Sequence, residues 1–507
     1  MLEKFRVLLA LALFAACVAL YTRHNDFPFF YHPDEPDKVR QIIEGEWNFH
    51  HPALMLAAAK TAAEILHVPF DPQHIVVLGR WLSAAYGALA VAALALLAWR
   101  WRGPRAFAAV ALLAGLHHQI FELAHYFKED AALLMGVALT FLALDFFCEK
   151  RNAPAATLLG AACGIALSAK YLGAVMLVPA LLALARNPHK QRLAGQLALF
   201  AAAFFLTAAA ANHPLLAHFA EFKQSFHREV TLAAEGQGGM THRIPNTEYF
   251  PIFRQNMNPA LWLLLAVFVV NFWRERKSKT FLHWTVAIFP FAYTLLLACS
   301  PKSNDRYFLP ATAMFAFLAA LGVTDVVALC REKTKFPARA FTWALMLLLA
   351  LFQLVSLPDP LAWKTLGEYY RAFAHDDRKE LGDWVRGHLP ASAVLAQDGR
   401  VGLPTPDREE RLQWQQPLPQ RVLGVRLSAA SLEELRAQGV THVVASESDY
   451  GKYFRKAGGA RAEFRGEFLQ RRTFYESLFQ QGKKLWSSPR GTVIYLHPGL
   501  ELWSISG

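Results

Sequence analysis

The stretch FFYHPDEPDKVRQIIEGEWNFHHPAL, from Phe29 to Leu54, sets carboxylates, histidines and a tryptophan between two apolar segments of the chain. Within it, Asp34 and Glu35 are adjacent, and the apolar positions of DKVRQIIEG predict a short amphipathic helix that begins near Pro36 and lies in the membrane interface. Such a helix would hold both acids near the membrane surface. A solvated loop whose acids only cap a helix is the competing interpretation.

The rest of the chain is too apolar for a soluble protein of its length. Of its 507 residues, 54% are hydrophobic and 18% are charged, and the mean hydropathy is +0.21. Apolar windows of about 15 to 23 residues recur as far as residue 357, close to the length with which a helix crosses a bilayer. We therefore expect an α-helical polytopic membrane domain of about eleven transmembrane helices. The expected spans are 5–21, 76–98, 106–124, 130–148, 154–168, 171–185, 194–211, 259–273, 280–299, 307–329 and 340–357.

The charge of the connections predicts which side of the membrane each one faces. WRWRGPR, CEKRN, ARNPHKQR, RERKSK and CREKTKFPAR are short and basic, which is typical of cytoplasmic loops. The net charge of +12 is explained in this way, so nucleic-acid binding is a poor interpretation. The outer loops are then 22–75 and 212–258, together with HYFKED, SAKYLG and SPKSNDR. Two points stay open: 5–21 is an uncleaved anchor or a signal peptide, and 154–185 is two spans or a re-entrant pair.

A second domain follows the last span. Pro358 and Pro360 mark the join, so we divide the chain into 1–357 and 358–507, with the second part a small soluble α/β domain on the extracytoplasmic side. DDRKELGDWVRGHLP and SLEELRAQGV, the latter with a serine cap, are expected to be helices. AVLAQD, THVVAS and TVIYLHPGLELWSI are expected to be strands. LAQDGR offers no glycine-rich phosphate fingerprint.

Unusual polar residues gather on the predicted outer face. HYFKED ends with Lys128, Glu129 and Asp130. A single cation at the end of a span is usually a snorkelling residue, but several cations and acids at one surface are harder to explain in that way. Acids supply a general base, and cations supply a site for a phosphate leaving group. The other cations are Arg80 inside the second span, Lys170 between two apolar runs, and Arg306 beside Tyr307.

These residues predict a reaction between a lipid-borne phosphate ester and a polar acceptor at the outer membrane surface. A carboxylate would deprotonate the acceptor hydroxyl for in-line displacement at the anomeric carbon of a sugar, with inversion if there is a single displacement. The lipid tail would lie between helices, and the phosphate would meet lysine and arginine side chains.

The motifs DE, HHPALML, FKEDAALLMGVAL, GIALSAKYLGAVMLVPALL and RYFLPATAMFAFLAALG, in this order, resemble the polytopic glycosyltransferases of the GT-C fold. Within that fold the chain is similar to bacterial members related to the dolichyl-phosphate-mannose protein mannosyltransferases and to lipid A aminoarabinose transferase. The likeness covers roughly Met1 to Leu357. It implies a polyprenyl-phosphate sugar donor, a glycan, lipid or protein acceptor, and a bacterial inner membrane with the site on the periplasmic side.

The resemblance also implies roles for individual residues. Asp34 would be the catalytic base with Glu35 beside it, and Asp130 would be the second acid, with Glu129 as the competing choice. HPDEPD offers no DxD, so no metal is expected, although Asp34 and Asp37 could still help to bind a divalent cation. Site-lining residues would be His50, His51 and Glu129, and donor-phosphate contacts would come from Lys128, Lys170, Arg306, Tyr307 and Arg80.

Two other functions are compatible with a polytopic chain. A transporter or lipid flippase would have ionisable residues near the middle of the membrane, and often inverted repeats. Here the ionisable residues cluster at one surface, and no repeat is evident in the sequence. A non-catalytic membrane scaffold is the third hypothesis; the joint presence of Asp34, Lys128, Asp130 and Arg306 argues against it.

Overall fold

The structure, a computed structural model, describes residues 2–188, 190–235, 245, 247, 249–301, 304–333, 337–357, 362–403, 417–423, 431–454 and 465–506. The chain forms two compact units. The described residues from Glu368 onward belong to the second unit together with Asp26–Pro33, and the other described residues, up to Gly367, belong to the first. The predicted join at Pro358 and Pro360 lies outside the described residues.

The first unit is helical. Its helices in chain order are α1 (Leu2–Tyr21), α2 (Glu35–Glu44), α3 (Leu54–Ile65), α4 (Pro72–Arg102), α5 (Pro104–Leu113), α6 (His118–Ala124), α7 (Glu129–Lys150), α8 (Ala153–Ala169), α9 (Leu177–Ala185), α10 (Lys190–Ala211), α11 (His213–Ala217), α12 (Phe219–Glu235), α13 (Tyr249–Asn256), α14 (Pro259–Arg274), α15 (Phe281–Ala298), α16 (Leu309–Lys333) and α17 (Ala338–Leu354). Short 3₁₀ helices occupy Tyr171–Met176, Arg276–Ser278 and Asp305–Phe308.

Several of these helices have the length and composition of membrane spans. Within the described part of the chain, 5 helices pass that test, and the number rises to 7 if each of two bent pairs is one span. The other predicted spans fall on shorter apolar helices. Each predicted span thus coincides with an apolar helix or a bent helix pair, while the number of crossings stays a prediction. The five are Pro72–Arg102, Glu129–Lys150, Gln191–Ala211, Phe281–Ala298 and Asp305–Glu332.

The span predicted at 106–124 is broken in the structure. Helices α5 and α6 meet at an angle of 63°. Between them His117 is extended, and its side chain accepts a hydrogen bond from the backbone N–H of Gln119, which caps α6. His118 at the start of α6 is in turn within 2.8 Å of the Asn256 side chain. These polar contacts start a new helix inside a segment whose composition alone predicts one continuous span.

Helices α7 and α8 approach closely, and their contact positions the start of α7 beside the end of α8. A Cβ on Gly136 of α7 would lie 2.5 Å from the Cα of Ala166 in α8, so the two backbones can meet here only because residue 136 has no side chain. The contact brings the first turn of α7, with Asp130, next to Lys170 at the end of α8.

The second unit is built on a five-stranded mixed sheet in the order β2-β1-β3-β5-β4. Strand β1 pairs in parallel with β2 and β3, and β5 pairs antiparallel with β3 and β4. Its elements are α18 (Leu366–Phe373, which begins at the end of the first unit), α19 (Asp377–His388), β1 (Val394–Gln397), β2 (Arg421–Leu423), α20 (Leu432–Ala437), β3 (His442–Ser446), α21 (Glu447–Tyr450), a 3₁₀ helix (Gly451–Phe454), α22 (Arg465–Gln481), β4 (Lys483–Ser487) and β5 (Leu500–Ser504).

The predicted elements of this unit are largely confirmed. The two helices are α19 and α20, and Ser431 caps α20 in a capping box with Glu434. AVLAQD and THVVAS contain β1 and β3. The strand predicted over TVIYLHPGLELWSI is wrong in its first half, because regular pairing begins only at Leu500, after Pro498 and a left-handed Gly499 with φ of 71°.

Helices cover both faces of this sheet, as the alternation of the strands requires. Leu395, Val444 and Leu502 lie in one core with side chains of α19. Their neighbours Ala396, Val443 and Trp503 point the other way, into a core with side chains of α20 and α22. Strand β3 is buried along its whole length, as expected for a central strand.

A buried acid gives this unit a pH-dependent stability. Asp398 accepts hydrogen bonds from the Tyr475 hydroxyl at 2.7 Å and from the Ser446 N–H at 2.9 Å. Burial, and to a lesser degree the carboxylate of Asp449, raises the pKa of Asp398 to about 7. A raised acid pKa contributes stability that is complete below the unfolded value of about 3.9 and is lost as the pH rises through 7.

We expect the melting temperature of the second unit, measured in the full chain in detergent, to be a few degrees lower at pH 8 than at pH 5. Asp398→Asn should narrow that difference, because asparagine resembles the protonated acid and can pair with both partners. A thermal melt followed by tryptophan fluorescence measures it; an equal pH difference in wild type and variant would show that Asp398 is not the titrating group.

Candidate active site

Asp34 lies where two cations converge. Its Oδ2 is 2.5 Å from Lys128 Nζ and 3.1 Å from Arg306 Nη1. The Asp34 side chain is 45% exposed, whereas that of Lys128 is 3% exposed. Asp34 occupies the cap position of α2 but its side chain makes no capping hydrogen bond, so the cap interpretation is wrong for this residue. Asp34 is therefore an accessible carboxylate held by two mostly buried cations.

The start of α7 supplies three consecutive charged side chains, each with a different partner. Lys128 is extended, and the helix begins with Glu129 and Asp130. Because the chain turns from extended to helical here, the three side chains diverge: Lys128 meets Asp34, and Asp130 Oδ1 accepts a hydrogen bond of 2.7 Å from Lys170 Nζ. Helix α7 thus begins where these charged side chains meet their partners.

Glu129 pairs with Lys38, a residue that the sequence analysis did not single out. The Lys38 ammonium is buried and donates to Glu129 Oε1, and His51 Nε2 is 3.8 Å from the other oxygen of that carboxylate. Lys38 follows Asp34 by four residues, so the two face the same side of α2; this spacing was the signal available in the sequence. His50 has a different partner, with Nδ1 3.6 Å from Glu229 Oε1.

The charged groups form one cluster. Lys38 interacts electrostatically with Asp34, Asp130, Lys170 and Arg306. The Tyr307 ring lies under both neighbouring cations, 4.7 Å from Lys170 Nζ and 5.5 Å from the Arg306 guanidinium carbon. Lys38, Lys128, Lys170 and Arg306 outnumber the carboxylates of Asp34, Glu129 and Asp130, so the cluster keeps an excess of positive charge.

Glu35 and Arg80 form an ion pair with each other, and unlike Asp34 they are not accessible. Both side chains are 0% exposed. Arg80 donates from Nε to Glu35 Oε1 at 3.0 Å and from Nη2 to Oε2 at 2.5 Å, and its Nη1 reaches the backbone oxygen of Asn25 at 2.8 Å. The N–H of Phe127 donates to the same carboxylate at 2.8 Å. This bidentate pair ties the start of α2 to α4 and to the residue before Lys128.

Transfer of a group from a phosphate ester needs a base and a cationic site for the leaving phosphate. The arrangement contains both. One carboxylate is accessible enough to accept a proton, and the cations around it offer donors. Among the described residues, the Nε of Arg306 is buried and lacks a hydrogen-bond partner, so the guanidinium has a donor to spare for a phosphate oxygen.

Comparisons with known proteins give a family-model match over part of the chain and a common fold. Residues 70–214 match the family model for dolichyl-phosphate-mannose-protein mannosyltransferase. No curated protein sequence matches the chain.

Among solved structures, the chain is similar to Archaeoglobus fulgidus oligosaccharyltransferase AglB in complex with an inhibitory peptide and a dolichol-phosphate. The identity is 13%, over 96% of this chain and 74% of that one, with a TM-score of 0.50. The apo form of the A. fulgidus enzyme aligns at 14% identity over 95% of this chain and 74% of that one, with a TM-score of 0.50. ArnT from Cupriavidus metallidurans bound to undecaprenyl phosphate aligns at 13% identity over 100% of this chain and 98% of that one, with a TM-score of 0.49. The chain has the GT-C fold of membrane glycosyltransferases, and it resembles the protein mannosyltransferase family within that fold.

Proposed function

We propose that the protein is a membrane glycosyltransferase that moves a sugar from a polyprenyl-phosphate donor to an acceptor hydroxyl or amine at the extracytoplasmic face of the membrane, with inversion. The observation that carries this proposal is the convergence of Lys128 and Arg306 on the half-exposed Asp34. The GT-C fold supports the same class of reaction.

The donor phosphate takes the place of Asp34 as the partner of the cations. Lys128 and Arg306 hold a carboxylate in the free protein, and a phosphate oxygen offers the same acceptor with more charge. Arg306 adds its spare Nε donor. As the sugar leaves, negative charge builds on the phosphate oxygen, and fixed cations in a mostly buried site stabilise that charge.

Asp34 then acts as the general base. The acceptor oxygen or nitrogen attacks the anomeric carbon, its proton passes to Asp34, and the bond between that carbon and the phosphate oxygen breaks. The products are the glycosylated acceptor and a polyprenyl phosphate. A single displacement of this kind inverts the anomeric centre.

The remaining site residues have supporting roles in this proposal. Asp130 fixes Lys170, and Glu129 fixes Lys38 and lies near His51, so both acids set the position of cations beside the donor. Because Glu35 and Arg80 are fully buried against each other, we assign them to the frame of the site and not to catalysis or donor binding. His50 is placed with Glu229, outside the cluster.

The nature of the lipid and the side of the membrane are part of the proposal. A polyprenyl phosphate is named in the AglB and ArnT structures, and the same lipid class suits a site that joins apolar helices to a cation cluster. The short basic loops predict that the opposite end of the helices is cytoplasmic. We therefore propose the periplasmic side of a bacterial inner membrane as the location of the site.

We expect Arg306→Ala to weaken binding of undecaprenyl phosphate by about 10- to 100-fold, the loss typical of a charge-assisted hydrogen-bond partner. Binding to the purified protein in detergent can be measured by native mass spectrometry with a lipid titration. Arg40→Ala is the matched control: Arg40 lies on α2 and its side chain is 55% exposed beside Asp37. Equal affinities for wild type and Arg306→Ala would rule out the phosphate site.

A further inference from the structure

A second group of ionisable side chains lies in the second unit, at the start of α19. His375, Asp377 and Glu380 each offer one ligand atom, and these atoms all lie within 4.8 Å of one another. Of the residues that the structure describes, this is the group of three with the spacing of metal ligands. It combines an imidazole nitrogen with two carboxylates, a set that suits borderline divalent ions such as Zn²⁺.

The distances fit the edges of a coordination polyhedron. His375 Nε2 is 3.2 Å from Glu380 Oε1 and 3.6 Å from Asp377 Oδ1. Ligands at about 2.0 to 2.2 Å from a tetrahedral ion are separated by about 3.3 to 3.6 Å. The measured separations lie close to that range, so an ion could be bound with small side-chain adjustments. The helix N-terminus disfavours a cation, but two carboxylates more than offset its partial charge.

A neighbouring histidine holds Asp377 in the way that outer-shell residues hold metal ligands. His497 Nε2 lies 2.7 Å from the backbone oxygen of Ala372, which can only accept, so this nitrogen carries a proton. The Asp377 carboxylate can likewise only accept, so Nδ1, at 2.9 Å from Asp377 Oδ1, also carries a proton and donates to that oxygen. Carboxylates that bind metal ions in proteins are themselves oriented by hydrogen bonds from neighbouring residues, which is the role of His497 here. Asp377 is 6% exposed, whereas His375 and Glu380 are 54% and 52% exposed, so an ion can enter from solvent.

The same turn anchors the segment that precedes Asp34 in the sequence. The Tyr31 hydroxyl donates to Asp376 Oδ2 at 2.8 Å, and the Arg378 guanidinium lies 4.2 Å from the centre of the Tyr31 ring. Asp376 and Arg378 flank the ligand Asp377. An ion at Asp377 would therefore stiffen the turn that holds Tyr31.

We propose that His375, Asp377 and Glu380 bind one Zn²⁺ ion, with water completing the coordination, and that His497 positions Asp377. The site belongs to the second unit, whereas the Asp34 cluster belongs to the first, and it has a structural role: it orders the turn that holds Tyr31. It does not depend on the proposed transferase function.

The test uses the full chain in detergent, with any affinity tag removed, stripped with EDTA and titrated with ZnCl₂ against a chromogenic chelator. We expect one Zn²⁺ per chain, at least tenfold weaker binding in His375→Ala and in Glu380→Gln, and a loss of about 10- to 100-fold in His497→Gln. His388→Ala is the matched control, since His388 is an exposed histidine at the other end of α19.

A second readout covers the structural role. Zn²⁺ should protect the amides of 26–33 from hydrogen exchange in wild type and not in His375→Ala, and Mg²⁺ should not substitute for it. The proposal fails if wild type binds no stoichiometric Zn²⁺, or if His388→Ala weakens binding as much as His375→Ala.

Discussion

Asp34→Asn is expected to lower sugar transfer by about 10²- to 10⁴-fold, the range that a positioned general base contributes. Asparagine keeps the size of the side chain and can still accept a hydrogen bond from Lys128 or Arg306, so the fold should be retained. What it loses is the ability to take a proton from the acceptor. Transfer can be measured as release of polyprenyl phosphate from a polyprenyl-phosphate sugar pool incubated with cell-envelope acceptors.

Asp37→Asn is the matched control for this change. Asp37 lies on the same helix, one turn from Asp34, and its side chain is 64% exposed beside Arg40. It should transfer at close to the wild-type rate. If Asp34→Asn were folded and as active as Asp37→Asn, the base would have to be another group.

Glu35→Ala is expected to destabilise the first unit by about 3–5 kcal/mol, because it leaves the fully buried Arg80 without its bidentate partner. The N–H of Phe127 loses its acceptor at the same time. Unfolding of the purified protein in mixed detergent micelles, with increasing SDS, measures the free energy of unfolding.

The double variant Glu35→Leu with Arg80→Met separates this role from a catalytic one. Removing both charges avoids the unpaired buried ion, so the double variant should be more stable than Glu35→Ala, although Phe127 stays unsatisfied. A Glu35→Ala protein that has wild-type stability but no transfer activity would show that Glu35 has a catalytic role.

The sequence was sufficient to single out most residues of the proposed site, but not to divide them into roles. Loop charge and span ends single out Asp34, Lys128, Asp130 and Arg306 as residues of one membrane face, and the structure places these four in one cluster. Adjacent Asp34 and Glu35 look equivalent in the sequence. They differ because the first helical turn points one side chain outward and the other at Arg80, 45 residues away.

Contacts between distant segments explain the remaining differences. Lys38 appears as one charged residue of a polar helix, and its pairing with Glu129 depends on the fold, since 91 residues separate the two. The contact of Asp377 with His497 likewise depends on the fold, since the two residues are distant in the sequence. Composition predicts one span at 106–124 because it contains no information on the contact between His118 and Asn256, which are distant in the sequence.

The affinity of the Asp34→Asn protein for undecaprenyl phosphate distinguishes a catalytic role of Asp34 from a structural one. In the proposed site Asp34 competes with the donor phosphate for Lys128 and Arg306, so removing its charge should tighten binding, by up to about tenfold, while transfer is lost. A residue with a purely structural role would weaken both. Tighter binding together with lost transfer is the predicted result; weaker or unchanged binding in a folded Asp34→Asn protein would contradict the account.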